Sequence, residues 1–424
     1  MVRIARFLCF FALGLFFLAQ AGLAQQDDDQ VSVDYVSSAH PHSGTTAPRG
    51  HLNGQGHARF GIAGIDSLAN WNKHFDAPGV DSNGNPQHVW YYNMVGNPPP
   101  LGGTTVINAP VVPVSLDLRN ADGTPRFVNG HRLFYDVTPF VQPTVNSPVF
   151  QNSNYSSSDV PTQFTDAVQR AEFSDAMKPD WHTILNPSVK ATRTMVLLRG
   201  TYRFALNADG SCCRFVLVDA DVFGAELFPS TFPFDNSTPV GSAENTGDMT
   251  TKDISTFLFP NTYLYTEHDP THCCILGYHT FDFEPGVPSN GNLQRWYVVN
   301  YSSWISPGLF GGGFEDITAV SHEVAEIFND PFVTADGIHN IVPWWLSPNG
   351  NCQNNLEVGD VIEGLPNATF PVTMNGMTYH PQNEALLQWF EFESPSSALG
   401  GAYSYPNLGT LQALSATQKA GCAP

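Results

Sequence analysis

Apolar residues fall into three regimes along this chain. The first is an uninterrupted run, Phe7 to Ala19, set behind Arg3 and Arg6 and ahead of Gly22-Leu23-Ala24. A basic start, a short apolar stretch and small residues before a cut site predict a cleavable export signal over residues 1–24. The run is shorter than the roughly 18–20 residues that a bilayer span needs. The second regime, residues 25–64, is poor in aliphatics and rich in Asp, Ser, Gly and His. That composition cannot build a core and predicts a disordered leader or linker. From residue 65 to 424, short apolar runs alternate with Gly and Pro, the pattern of many short strands joined by loops.

Within the third regime the periodicity predicts strands at His88–Val95, Thr105–Leu116, Thr194–Leu206, Arg214–Val218, Thr262–Thr266, Ile275–Phe283 and Trp296–Tyr301. It predicts helices at Pro161–Met177 and Phe314–Asn329. No internal repeat and no later linker divides the chain. The expected fold is therefore α+β: one large β-rich domain over 65–424.

Charge and cysteine content narrow the setting. The formal charge is −21, and loss of Arg3 and Arg6 with the signal takes it to about −23. Such a chain lacks the clustered Lys and Arg that phosphate contacts require, which argues against nucleic acid as a partner. No later stretch is long and apolar enough to span a membrane, so the mature chain is expected to be secreted, extracellular or periplasmic. Cys9 leaves with the signal; Cys212, Cys213, Cys273, Cys274, Cys352 and Cys422 remain. An even count in an exported chain predicts a disulfide-braced fold. The expectation is that the pair 212/213 bridges to the pair 273/274 and that Cys352 joins Cys422.

The chemistry concentrates in residues 311–360. Gly311-Gly312-Gly313 leads to a stripe of Ile317, Val320, Val324, Ile327 and Phe328, and Pro331 ends the helix. Glu315 and Asp316 suit its N-terminus, where acids meet the positive end of the macrodipole. Opposite the stripe, His322 and Glu326 stack one turn apart, with Glu323 on the same polar side. This is the H-E-x-x-H metal motif with its second His replaced by Glu. In that motif the outer residues hold the cation and the inner Glu deprotonates a bound water. His322 and Glu326 are thus candidate ligands and Glu323 the candidate base. A third ligand must come from elsewhere, and Glu357 or Asp360 in the downstream Cys352–Asp360 segment is the expected donor. His339 is a lesser alternative to Glu357, and Asp330 a candidate partner for a ligand; His279 could line a cleft beside the metal helix, with an ordinary core or surface histidine the plainer reading. Trp344, Trp345, Trp389, Phe390 and Phe392 could line a binding wall, with core packing the plainer reading.

The segments Ser321-His322-Glu323-Val324-Ala325-Glu326, Asn329-Asp330-Pro331 and Cys352–Asp360 resemble a group of secreted bacterial proteins. A related S-H-E-x-x-E…D-P…E-x-G-D pattern occurs in the plant phosphate-induced (EXORDIUM-like) family, linked to growth and the cell wall. Cys273–His279, Met374–His380 and Pro161–Phe164 with Trp181–Thr183 are also similar to the bacterial group. The resemblance runs from about residue 85 and is strongest over 310–392. It implies an exported protein with a zincin-like metal helix and carries no reaction with it.

Two functions are expected from different classes. The first is a metal-dependent hydrolase, peptidase-like, acting on peptide. Its cation is zinc by analogy of motif, although a site with more carboxylate than imidazole also suits calcium or manganese. The second is a non-enzymatic binding protein for a cell-envelope or matrix polymer, with a structural metal or none. No G-x-S-x-G elbow or phosphate loop is present.

Overall fold

A computed structural model of the chain describes residues 68–80, 84–128, 130–155, 161–205, 215–230, 236–284, 288, 295–310, 313–333, 344–349, 352–354, 356–412 and 414, with the side chains of 80, 205, 344–346 and 352–354 left aside. The signal and leader expected at 1–64 and the tail with Cys422 lie outside these residues, as do Cys212, Cys213 and His339. No described helix is long and apolar enough to cross a membrane.

The strands used below are β1 (Asn70–Val80), β2 (Pro86–Val95), β3 (Thr104–Arg119), β4 (His182–Val189), β5 (Arg193–Leu198), β6 (Tyr202–Ala205), β7 (Phe215–Asp219), β8 (Ile254–Pro260), β9 (Thr262–Tyr265), β10 (Cys273–Ile275), β11 (Gly277–Glu284) and β12 (Arg295–Trp304). The helices are α1 (Thr138–Val145), α2 (Phe164–Glu172), α3 (Ala220–Leu227), α4 (Pro239–Thr246), α5 (Thr318–Asn329) and α6 (Leu387–Phe390). Strands outnumber helices, so the molecule is α+β and β-rich.

The principal sheet runs β11-β12-β8-β3, with β4 and β5 paired in turn along β3. β8 lies parallel to β12 and to β3, and β11 is antiparallel to β12 at the margin. A smaller sheet runs β10-β9-β7-β6, and β1 and β2 form a hairpin. Alternation along the principal strands divides their side chains between two apolar layers. Val112, Val114, Phe257, Tyr278 and Val299 pack with Phe223 of α3 and Val240 of α4. Ile107, Val111, Leu258, Phe281 and Val298 pack with Val320, Val324, Ile327 and Phe328 of α5. Each such fully buried side chain contributes about 1.5–3 kcal/mol, so the sheet fixes α5 firmly along its apolar stripe.

Several boundaries differ from those the sequence predicts. The helix expected at Phe314–Asn329 begins at Thr318, because Asp316 exchanges backbone hydrogen bonds with Ile305 and holds φ at 48°. Glu315 and Asp316 therefore precede the helix instead of lying in its first turn. The helix expected at Pro161–Met177 is confined to Phe164–Glu172. The run expected at Thr194–Leu206 breaks into β5 and β6 at a turn where Thr201 N–H donates to Leu198 O. β8 was not foreseen: every one of its residues is buried, so it shows no polar alternation to read. The structure joins Cys273 to its neighbour Cys274, and the other members of the expected pairings, Cys212, Cys213 and Cys422, lie outside the described residues. Trp389 and Phe390 lie in the core and line no binding wall.

Candidate metal centre

Three elements carry acidic and imidazole side chains to one buried place. The first is α5, whose apolar stripe packs on the sheet and leaves His322, Glu323 and Glu326 beside it, with Glu323 and Glu326 reaching the marginal strand β11. The second is β11. His279 shares its strand face with Phe281, which packs in the α5 layer, and period-two alternation thus points the ring at the helix. Gly277 lies two residues earlier on the same face. A Cβ there would stand 2.8 Å from Glu323 Cγ and Oε1, so only glycine lets Glu323 come this close to the strand. The third element is the segment 356–363. Gln382 ties it to the helix: its side-chain amide donates to Gly359 O at 2.7 Å and its N–H donates to Ser321 Oγ at 3.0 Å. A Cβ on Gly359 would stand 2.5 Å from His322 Nδ1, so a second glycine admits the His322 ring.

Glu326 occupies the middle. Its Oε1 is 3.0 Å from His322 Nε2, and its Oε2 is 3.4 Å from His279 Nδ1. The N–H groups of Gly359 and Asp360 donate to Oε1 at 3.2 and 3.3 Å, which fixes the plane of the carboxylate. The two downstream candidates separate. Asp360 Oδ1 lies 3.4 Å from His322 Nε2, whereas Glu357 Oε2 lies 3.9 Å from His279 Nδ1. Glu323 Oε2 is 3.5 Å from His279 Nδ1, yet neither Glu323 oxygen makes a hydrogen bond, and Glu357 Oε1 makes none. Glu323 has no exposed surface, and a carboxyl group without hydrogen bonds in such a place is costly. The potential ligand atoms of His279, Glu323 and Glu326 lie within 4.8 Å of one another, and so do those of His322, Asp360 and Glu363. These groupings can hold a metal ion.

Electrostatics follow from burial and crowding. Burial pushes Glu323 up to about 7. Burial, then the charge of Glu326, raises Glu357 well above the carboxylate range. Burial would depress both imidazoles, but the surrounding carboxylates outweigh it. Glu357, Glu323 and Glu326 hold His279 well above its ordinary value; Glu326, Asp360 and Glu323 do the same for His322. Burial would raise Glu326 too, but His322 and His279 outweigh it and lower this group. Without a cation, the centre thus keeps its charge balance by holding protons.

Sequence reasoning placed His279 beside the metal helix only as the lesser reading and did not consider Glu363 or Glu384. Glu384 is fully buried with both oxygens unbonded, and burial raises it well above the carboxylate range beside His322 and Glu326. A histidine in phase with the apolar residues of a strand was the available signal for His279. Glu384 gave none, since nothing local ties it to the helix. Asp330 acts through its backbone: its carbonyl accepts from His279 Nε2 at 3.1 Å.

Compared with known protein families, curated sequences and solved structures, the chain matches none.

Proposed function

We propose that this chain is an exported metal-dependent hydrolase, peptidase-like, with a zincin-like helix α5 as the backbone of its metal centre. The observation that carries the reading is Glu323: a fully buried carboxylate with two unbonded oxygens, held beside the imidazole–carboxylate groups that would bind the cation. His322, Glu326 and Asp360 are its ligands, with Glu357 and His279 adjoining. The cation, zinc first and manganese or calcium next, would polarise a scissile carbonyl and acidify a water. Glu323 would be the general base there, placed to accept a proton from an attacking water and to pass it to the leaving amine. Gly277 gives Glu323 the room to stand there.

One observation favours a second reading, a secreted binding protein for envelope or matrix polymer whose metal braces the fold. Glu323, Glu326, Glu357 and Asp360 are all at most 4 % exposed, as a closed structural site requires. A single variant separates the two. Glu323→Gln should retain the metal of the parent and lose peptide hydrolysis. Hydrolysis at the parental rate would remove the catalytic role, and loss of the metal would make Glu323 a ligand instead of a base.

A further inference from the structure

We infer that the centre binds two divalent cations, bridged by the carboxylate of Glu326. This deepens the metal-hydrolase reading and rests on it for the presence of a cation. The polar atoms do not converge on one point. They divide into two sets that meet only at Glu326, one oxygen to each: Oε2 faces His279 Nδ1, and Oε1 faces His322 Nε2. Each imidazole then has further carboxylates of its own: Glu323 at 3.5 Å and Glu357 at 3.9 Å for His279, and Asp360 at 3.4 Å for His322, with Glu363 grouped with the latter.

The tautomer of His279 supplies an independent argument. Its Nε2 faces the carbonyl oxygen of Asp330 at 3.1 Å, an acceptor only, so Nε2 carries the hydrogen. In the neutral ring Nδ1 is therefore a bare lone pair, and it faces oxygens of Glu323, Glu326 and Glu357. A cation bound in place of the ring's second proton would meet that lone pair among the same carboxylates. An imidazole whose far nitrogen donates to a backbone carbonyl is the usual posture of a metal ligand.

Geometry gives the number of ions. The donor atoms of His279 and Glu326, with Glu323 beside them, gather within 4.8 Å of one another, and those of His322, Asp360 and Glu363 form a second such grouping. Each grouping offers a place for one ion, and the two adjoin at Glu326. A single carboxylate spanning two ions suits the separation of about 3.5–4 Å found in two-metal hydrolytic sites.

The test is reconstitution of the purified, chelator-stripped full chain with Mn²⁺, followed by metal analysis and electron paramagnetic resonance. Two ions per chain with an exchange-coupled spectrum are expected. His279→Ala and Asp360→Asn should each retain one ion and convert the spectrum to that of an isolated Mn²⁺. One ion per chain in the parent would overturn the two-ion centre and leave the hydrolase reading standing. Two ions without exchange coupling would remove the bridging role of Glu326. No bound ion with Mn²⁺ or Zn²⁺ would overturn both readings.

Discussion

Four histidine–acid groupings occur among the described residues, and two of them sit at the periphery. Asp219 lies before α3, where its Oδ1 accepts the N–H groups of Asp221 and Val222, while its Oδ2 meets His268 Nδ1 at 2.8 Å. Asp316 lies before α5. Its Oδ1 accepts Ile317 N–H and His380 N–H, and its Oδ2 meets His380 Nδ1 at 2.7 Å. Each Oδ1 is occupied by backbone N–H groups, among them ones that a helix start leaves unpaired, and each Oδ2 by an imidazole. The interior groupings have the same residue types in a different condition: Glu326 Oε1 accepts from the N–H groups of Gly359 and Asp360, but buried oxygens around it lack donors. Glu323 and Glu384 are bonded at neither oxygen, and Glu357 lacks a partner at Oε1. Composition therefore does not distinguish a fold-holding ion pair from a metal site. What distinguishes them is whether the buried oxygens already have donors.

The largest break in that contrast should come from Glu326. Glu326→Ala removes the one group that touches both imidazoles. Bound metal should fall below detection at concentrations that saturate the parent, an affinity loss of at least about 100-fold, and hydrolysis should vanish with it. Metal analysis after dialysis reads this directly; parental metal content in this variant would show that the two sets do not meet at Glu326. Next in size is Glu323→Gln, with an expected fall in turnover of about 10²–10⁴ at unchanged metal content.

Removing the metal should sharpen the contrast through pH. Glu323 titrates at about 7 in the folded chain against 4.5 for an unperturbed Glu. As pH rises through that window the folded state holds a proton that the unfolded state has released, so stability falls. The raised imidazoles act in the same direction. Their stabilisation is complete below about 6.5, the ordinary value, and is lost as pH climbs through their raised values. Glu326, being lowered, has the opposite sign: its contribution is present above about 4.5 and is lost only as pH falls through its depressed value. The chelated chain should therefore melt several degrees lower at pH 8 than at pH 5.5, and saturating metal should remove most of the difference. Thermal unfolding with and without chelator checks this. Equal melting shifts in the two conditions would mean that the interior acids are not coupled to a cation.

A smaller effect is expected from the two glycines that admit the side chains. Gly277→Ala places a Cβ 2.8 Å from Glu323, and Gly359→Ala places one 2.5 Å from the His322 ring. Neither position has a positive φ, so the cost is steric, about 1–3 kcal/mol each. Denaturant titration would measure the stability loss. Gly359→Ala should also weaken metal binding, whereas Gly277→Ala should chiefly impair turnover.

Half of the centre was legible in the sequence because it lies on one helix. His322, Glu323 and Glu326 are placed by the 3.6-residue period and by the apolar stripe behind them. Glu357 and Asp360 were legible as alternatives, and the fold assigns them to different imidazoles. His279 was legible only as the lesser reading, because a lone histidine within a buried strand looks like core, and only the placement of β11 beside α5 gives it meaning. Glu384 arrives from a segment more than fifty residues past the helix, where no local pattern announces it. The same limit applied to the architecture. Half-buried strands such as β2 could be read from alternation, but β8, buried on both faces, could not.

The smallest effect should come from the peripheral grouping nearest the centre. His380 approaches Asp316 at 2.7 Å and Glu315 at 3.1 Å, with its side chain 22 % exposed. Truncation by His380→Ala removes these ring contacts alone. The N–H of residue 380 still donates to Asp316 Oδ1, and its carbonyl still accepts from Thr318 Oγ1, so the start of α5 keeps its backbone fastening. Partly exposed ion pairs are worth about 0–1 kcal/mol, and the variant should lose no more than that in denaturant titration while binding the parental amount of metal. Such a result would sharpen the distinction, since a histidine joined to two acids only a few residues from His322 would then contribute nothing to the cation. A marked loss of metal from His380→Ala would instead mean that the start of α5 sets the geometry of the whole centre, and that occupied oxygens alone do not separate scaffold from site.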